Sequence, residues 1–337
     1  MAITVLNSPR AVISGSGFSV PPNVVTNDDL SEFMDTDHDW IVERTGISER
    51  RWAAPELSAS ELALPACKAA LNRSGILAAD LDGIIVATVT PDYIFPSTAA
   101  VIQGKLGAKG GLAFDVNAVC SGFVYALSVA ASLMAGGAFK HVLVVGVDLY
   151  SRIIDKSDRS TAILFGDGAG AIVLSREDQI KNGAGRGVHS YSLGCDGSLG
   201  DLLCVKSGTA KEPTAESLGT SIHALQMNGK EIFKLAVRAG VEGGKELCSA
   251  IGISPPEIDY LMFHQANQRI LSSVGKQLGL KDEQVLSNVA KYGNTSAASI
   301  PILLAESAEQ GILQPGQLLL LSAFGGGVTW GGALVRY

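Results

Sequence analysis

The chain has 337 residues, 47% hydrophobic and 18% charged, which excludes a disordered or fibrous protein and is long for one simple core. Its 26 basic and 33 acidic residues give a net charge of -7 with no basic run, which argues against nucleic-acid binding by charge. The five cysteines, Cys67, Cys120, Cys195, Cys204 and Cys248, have no C-x-x-C spacing. That argues against a zinc site or disulfide framework and for a reduced, cytosolic chain.

In chain order, the first 20 residues lack the basic start, apolar centre and cleavage site of a signal peptide. Ser60 to Ser74 reads as an alanine-rich helix, Gly83 to Val89 as a buried strand and Ala113 to Val116 as a short strand. Gly122 to Ala135 reads as a helix inside Val116 to Phe139, a stretch without charge long enough to cross a bilayer. Its Asn117, Ser121, Ser128 and Ser132 among many alanines favour a helix buried inside a protein. His141 to Val147 and Ala171 to Leu174 are further strands. Gly229 to Ser249 is a helix, Tyr260 to Phe263 a strand, Ser296 to Gly311 a helix and Leu318 to Ser322 a strand. The uncharged stretch Gln310 to Val335 holds Pro315 and many glycines, which suits a strand and glycine loops better than a membrane helix. Continuous apolar strands alternating with helices predict α/β layers with sheets covered on both faces.

A faint duplication is also legible. "DLDGIIVA" matches "EIDYLMFH", "HVLVVGV" matches "QLLLLSA", and Cys120 in "DVNAVCSGF" falls against Asn294 in "KYGNTSAAS", all at nearly one offset. Two copies of one unit are predicted, 1–178 and 179–337, joined through the polar stretch Arg176 to Gly187. Strand and helix ends from both copies would then meet around a pseudo-twofold axis.

Three residues at such ends are candidates for chemistry. Cys120 precedes the uncharged helix, where the helix dipole and free N–H groups favour a reactive thiolate; a buried structural cysteine is the plain alternative. His264 leaves the strand Tyr260 to Phe263 at its end, where α/β proteins place sites, and equally suits a hydrogen-bonded core histidine. Asn294 lies in a turn feeding a helix and could simply cap it. The loops "FGDGAGA" and "FGGGVTWGG" lack P-loop and dinucleotide signatures. The second could present backbone N–H groups to a developing oxyanion.

Taken together, six segments resemble the thiolase-like condensing enzymes, and among them the β-ketoacyl-[acyl-carrier-protein] synthase III family. They are "DHDWIVERTGISERR", "DVNAVCSGF", "SDRSTAILFGDGAGAIVL", "HQANQRI", "YGNTSAAS" and "AFGGGVTWGGALVRY". The resemblance implies a duplicated five-layer α/β/α/β/α fold, a cytoplasmic homodimer, and decarboxylative condensation of an acyl-CoA with malonyl-acyl-carrier protein. Coenzyme A thioester is then a substrate, and no cofactor or metal is implied. Cys120 matches the acylated nucleophile, His264 and Asn294 complete its triad, and the N–H groups of Cys120 and Gly326 match the oxyanion hole. Thr36, Trp40, Arg44 and Arg159 match positions near the adenine end of coenzyme A. Phe95 matches the residue that crosses the dimer interface to close the acyl pocket, and Lys234 and Arg269 match positions that meet the carrier protein. Departures are Ser322, where a glutamate is common, Lys230, where an asparagine is, and the pair Arg51-Trp52. They leave the primer and pathway open. The alternatives are a secondary-metabolism synthase with an unusual acyl or aryl primer, a cysteine hydrolase, and a non-catalytic subunit.

Overall fold

The apolar runs of the sequence become the strands of two five-stranded sheets. The computed structural model describes residues 2–8, 10–208 and 223–337. Within them the strands are β1 (Ile3–Val5), β2 (Ala11–Ser19), β3 (Val24–Thr26), β4 (Glu49–Arg51), β5 (Gly83–Ala87), β6 (Leu112–Val116), β7 (His141–Leu149) and β8 (Asp167–Arg176). They continue with β9 (Gly187–Cys195), β10 (Leu203–Cys204), β11 (Gln226–Met227), β12 (Tyr260–Phe263), β13 (Leu318–Gly325) and β14 (Thr329–Arg336). The helices are α1 (Asn27–Ser31), α2 (His38–Thr45), α3 (Ala59–Ser74), α4 (Thr98–Leu106) and α5 (Gly122–Ala135). After them come α6 (Gly229–Ala250), α7 (Gln268–Leu278), α8 (Val289–Tyr292) and α9 (Ser299–Glu309).

The first sheet has the order β2-β8-β7-β5-β6 and the second β1-β9-β14-β13-β12. Four strands of each pair alike. β2 with β8 and β8 with β7 are antiparallel and β7 with β5 parallel; β9 with β14 and β14 with β13 are antiparallel and β13 with β12 parallel. Where the first sheet has β6, the second has a single parallel bridge between Leu261 and Val285. One α/β pattern is therefore folded twice, with residues 177–186 between β8 and β9. One strand departs from the expected division of the chain: β1 belongs by sequence to the first half but pairs antiparallel with β9 of the second sheet. There it covers an edge whose N–H and C=O groups would otherwise be unpaired.

Successive residues of each central strand face opposite layers. Val142 and Val144 of β7 join α5 and α9 in a core with Phe123, Ile300, Met262 and Leu321, while Leu143 and Val145 face Ala63, Ala66 and Ala70 of α3. On the far side of the second sheet, Leu261 and Leu320 pack against Val241 of α6 and Leu271 of α7. The layers thus run α/β/α/β/α, and burial on both faces explains why the strands read as continuous apolar runs. Helix α3 begins at a capping box between Ser58 and Glu61 and ends at Gly75 with φ +71°, as local signals dictate.

The uncharged helix α5 ends at Ala135 after 14 residues, short of the roughly 20 that a bilayer requires. Among the described residues no helix is long and apolar enough to cross a membrane. The expected helix from Ser296 is in fact a 3-10 turn, Ser296–Ala298, followed by α9. That turn lies so close to β7 that a Cβ on Gly146 would stand 2.3 Å from the Ala297 carbonyl oxygen.

Candidate active site

Two turns of the same shape meet at the centre of the molecule. One is Val119–Ser121, leading into α5, and the other Ser296–Ala298, leading into α9. Each opens on a non-glycine residue in the left-handed region, Val119 at φ +50° and Ser296 at φ +50°, a conformation disfavoured for a β-branched residue such as valine. The structural match therefore pairs Cys120 with Ala297. The sequence alignment had paired Cys120 with Asn294, a slip of about one turn. Small residues on both sides gave that alignment nothing to resist it.

Cys120 and Asn294 are 4% and 5% exposed and His264 2%, and all three line one cavity of about 530 Å³. Asn294 is pinned through its backbone. Its N–H donates to Leu164 O at 2.8 Å and its carbonyl accepts from Gly166 N–H at 3.0 Å. Its Oδ1 accepts from Ser296 N–H at 2.9 Å, which leaves the amide –NH2 for the cavity. The His264 N–H donates to Ser322 O at 2.8 Å, and its Nδ1 lies 2.7 Å from Ser299 Oγ. A hydroxyl can donate to Nδ1 or accept from it, so Nε2 can serve as donor or acceptor. Burial lowers the His264 pKa to about 3, so the ring is neutral.

The thiolate expected at Cys120 is not the resting form. Burial pushes the thiol up to about 12, with the charge of Asp148 acting in the same direction and the Ser296 hydrogen bond against it. Desolvation, which a position at a helix N-terminus does not reveal, is the largest influence on this thiol. Close by, a Cβ on Gly325 would stand 2.8 Å from the Cys120 amide nitrogen, whereas one on Gly326 would meet Leu203 O at 2.7 Å. The glycine run thus lays bare backbone against the Cys120 amide.

From the three residues the cavity runs outward to Trp40, Arg44, Arg159 and Arg269. The Arg44 and Arg159 guanidinium carbons lie 4.3 Å and 4.6 Å from the Trp40 ring centroid, a cationic, aromatic mouth. Thr36 is not among the lining residues, and its hydroxyl is buried without a hydrogen-bond partner; the backbone carbonyl of neighbouring Asp35 accepts from the Arg159 guanidinium at 2.6 Å. Arg269 lies 5.9 Å from the Phe233 ring. Lys234 lies outside this cavity, paired with Glu231 at 2.8 Å. Phe95 is far from closing the pocket within one chain. It is 85% exposed, beside Ile94 at 76% and Tyr93 at 58%.

The sequence reading missed Asp148, Tyr150, Ser296 and Ser299, all buried around the site. A lone aspartate at the end of the apolar run "HVLVVGVDL" was the available signal for the first. No group of His, Cys, Asp and Glu among the described residues could hold a metal.

A duplicated five-layer fold with a buried cysteine, histidine and asparagine on one cavity defines the class as a thiolase-like condensing enzyme. Residues 114–197 match the model of 3-oxoacyl-[acyl-carrier-protein (ACP)] synthase III, and residues 248–337 that of its C-terminal part. The chain is 47% identical to a β-ketoacyl-[acyl-carrier-protein] synthase III of Caulobacter vibrioides over 97% of this chain and 99% of the relative. It is 48% identical to the one of Rhodospirillum rubrum over the same shares. A solved 3-oxoacyl-[acyl-carrier-protein] synthase III from Aquifex aeolicus superposes with TM-score 0.89 at 42% identity, covering 97% of this chain and all of that one. The chain belongs to the β-ketoacyl-[acyl-carrier-protein] synthase III family of condensing acyltransferases.

Proposed function

We propose that this protein condenses an acyl-CoA primer with malonyl-acyl-carrier protein, releasing CO2 and giving a β-ketoacyl-acyl-carrier protein that starts a fatty-acid chain. The observation that carries this reading is the single cavity joining Cys120, His264 and Asn294 to the Trp40, Arg44 and Arg159 mouth. The mouth suits a nucleotide, whose base stacks on an indole and whose phosphates meet guanidinium groups.

In the first half-reaction Cys120 Sγ attacks the thioester carbonyl. His264 Nε2 takes the thiol proton and returns it to the departing CoA sulfur. The Cys120 N–H, with a second donor from the glycine run at Gly326, holds the tetrahedral oxyanion; a missing donor of this kind costs about 3 kcal/mol. In the second half-reaction the malonyl group loses CO2, and His264 Nε2–H and the Asn294 amide donate to the enolate oxygen. Its carbon then attacks the acyl-Cys120 carbonyl, the carbon–sulfur bond to Cys120 breaks as the tetrahedral intermediate collapses, and the released sulfur takes up a proton to restore the thiol. Because decarboxylation generates the nucleophile, the reaction calls for no resident cofactor.

The same reading assigns Thr36 to the nucleotide end, Lys234 and Arg269 to the acidic carrier protein, and a cytoplasmic location. It assigns the exposed Tyr93-Ile94-Phe95 stretch to the interface of a homodimer. Relatives near 47% identity over almost the whole chain favour the fatty-acid role over a specialised secondary-metabolism synthase. The presence of Cys120, His264 and Asn294 together on one cavity argues against a silent subunit.

Intact-mass analysis after incubation with mixed acyl-CoAs tests the proposal. The wild type should retain one acyl group and the Cys120→Ala variant none, and the retained mass names the primer. A wild type that stays unmodified, or that releases free acid faster than it condenses, overturns it.

A further inference from the structure

Burial sets a problem at Cys120. A sulfur so enclosed resists ionisation, and the basic side chains of the cavity, Arg44, Arg159 and Arg269, are exposed at its mouth. The titratable groups that bear on the sulfur are Asp148 and Tyr150, and His264 shares its cavity as a neutral ring. None of these brings a positive charge. The α5 N-terminus contributes its dipole, and what remains is a pair of buried hydroxyls.

We propose that the Ser296 and Tyr150 hydroxyls form a two-donor cradle that stabilises the Cys120 thiolate during acyl transfer, which makes both catalytic residues. The Ser296 hydroxyl donates to Cys120 Sγ at 3.5 Å. The Tyr150 side chain lies near enough to the Cys120 sulfur and the Ser296 side chain to act electrostatically on both. Tyr150 is 1% exposed, and its ring stacks on Phe165 at 4.6 Å between centroids and 10° between planes. Ser296 is fully buried. Its turn is held by its own N–H on Asn294 Oδ1 and by the Ala297 N–H on Asp148 Oδ2 at 3.2 Å. Rigid packing aims these hydroxyls where a sulfur charge develops. Hydrogen bonds to a charged acceptor are the stronger kind, and donors that need no rearrangement favour the charged state over the neutral thiol. Asp148 acts differently. Its charge opposes the thiolate, so its contribution is to fix the turn, as a positioning residue.

This inference rests on Cys120 being the acylated nucleophile. In that step the S–H bond breaks and the proton goes to His264 Nε2. The new bond forms between Sγ and the acyl carbon, the carbon–sulfur bond to CoA breaks, and the proton ends on the CoA sulfur. Both hydroxyls keep their protons throughout.

The test uses Tyr150→Phe, which preserves the ring stack, and Ser296→Gly, which accepts the positive φ. The rate of iodoacetamide alkylation at Cys120, followed by peptide mass against pH, gives its kinetic pKa. Exposed Cys195 serves as internal control. Each variant should raise the Cys120 kinetic pKa by about one unit and slow acyl-enzyme formation about tenfold at neutral pH. Decarboxylation by enzyme already acylated should be nearly unchanged. An alkylation profile unmoved in Tyr150→Phe and in Ser296→Gly overturns the cradle, and so does an equal loss in acyl transfer to Cys120 and in decarboxylation by the acylated enzyme. A wild type that takes no acyl group overturns the proposed function instead, and the alkylation profiles still decide whether the hydroxyls cradle the sulfur.

Discussion

The two halves of this molecule carry the same turn and use it for different ends. In the first half Val119–Ser121 presents a thiol at Cys120; in the second, Ser296–Ala298 presents a methyl at Ala297. Both turns start at φ +50° and lead into a central buried helix. The second half places its chemistry just outside the turn, with Asn294 before it, Ser299 after it and His264 at the end of β12. Duplication therefore supplies a scaffold in which two strained turns meet. Divergence then puts the thiol on one side and the histidine and amide on the other, the division that the proposed two-stage reaction would use.

The sharpest way to break this division is to reverse the electrostatics of the second half. Asn294→Asp keeps an oxygen for the Ser296 N–H but turns the cavity-facing donor into a charged acceptor. Condensation should fall about 10³-fold while acyl-enzyme, followed by intact mass, still forms. Loss of acylation as well would show that the halves do not divide the steps. Next is Gly325→Ala, whose methyl would press on the Cys120 amide. Acylation should slow about 10²-fold, near the cost of one oxyanion donor, in a burst assay. Trp40→Ala touches only the mouth. It should raise KM for the acyl-CoA about tenfold with kcat little changed in steady-state kinetics, since binding shared by ground and transition states is lost.

The last effect is on stability against pH. The His264 pKa is lowered to about 3, so between its ordinary value near 6.5 and that value the unfolded chain binds a proton that the folded one does not. Stability contributed by the neutral ring is present above that window and is lost as pH falls through it. Asp148, raised to about 6 by burial, acts with the opposite sign. Its protonation favours the folded state as pH falls from about 6 towards its ordinary carboxylate range. Urea unfolding of His264→Gln should accordingly show a flatter acid limb than wild type, by a few kcal/mol at most. An unchanged limb would mean that the ring is already solvated.

Much of this was legible in the chain. The strands at Gly83, His141, Tyr260 and Leu318 begin where their apolar runs do, because a strand buried on both faces has to be continuously apolar. The six family segments pointed to the fold. What escaped was of two kinds. The offset between halves slipped at Cys120 because alanines and serines on both sides make neighbouring registers look alike. The state of the thiol was misjudged because a helix N-terminus is a local feature, while desolvation depends on everything packed around it. Ser296 and Ser299 sat inside a segment already singled out, yet nothing local distinguishes a serine that faces a sulfur from one that caps a helix.

The sequence by itself determined the alternation of strands and helices, the duplication and the residue types of the triad, because periodicity and chemistry are carried by neighbours along the chain. Only the tertiary structure decided which atoms face Cys120 and how deeply they are buried, that two guanidinium groups stand against the Trp40 ring, and that β1 crosses to the second sheet. Those outcomes depend on how segments apart in the chain pack together, where burial sets both the cost of charge and the partners available to it.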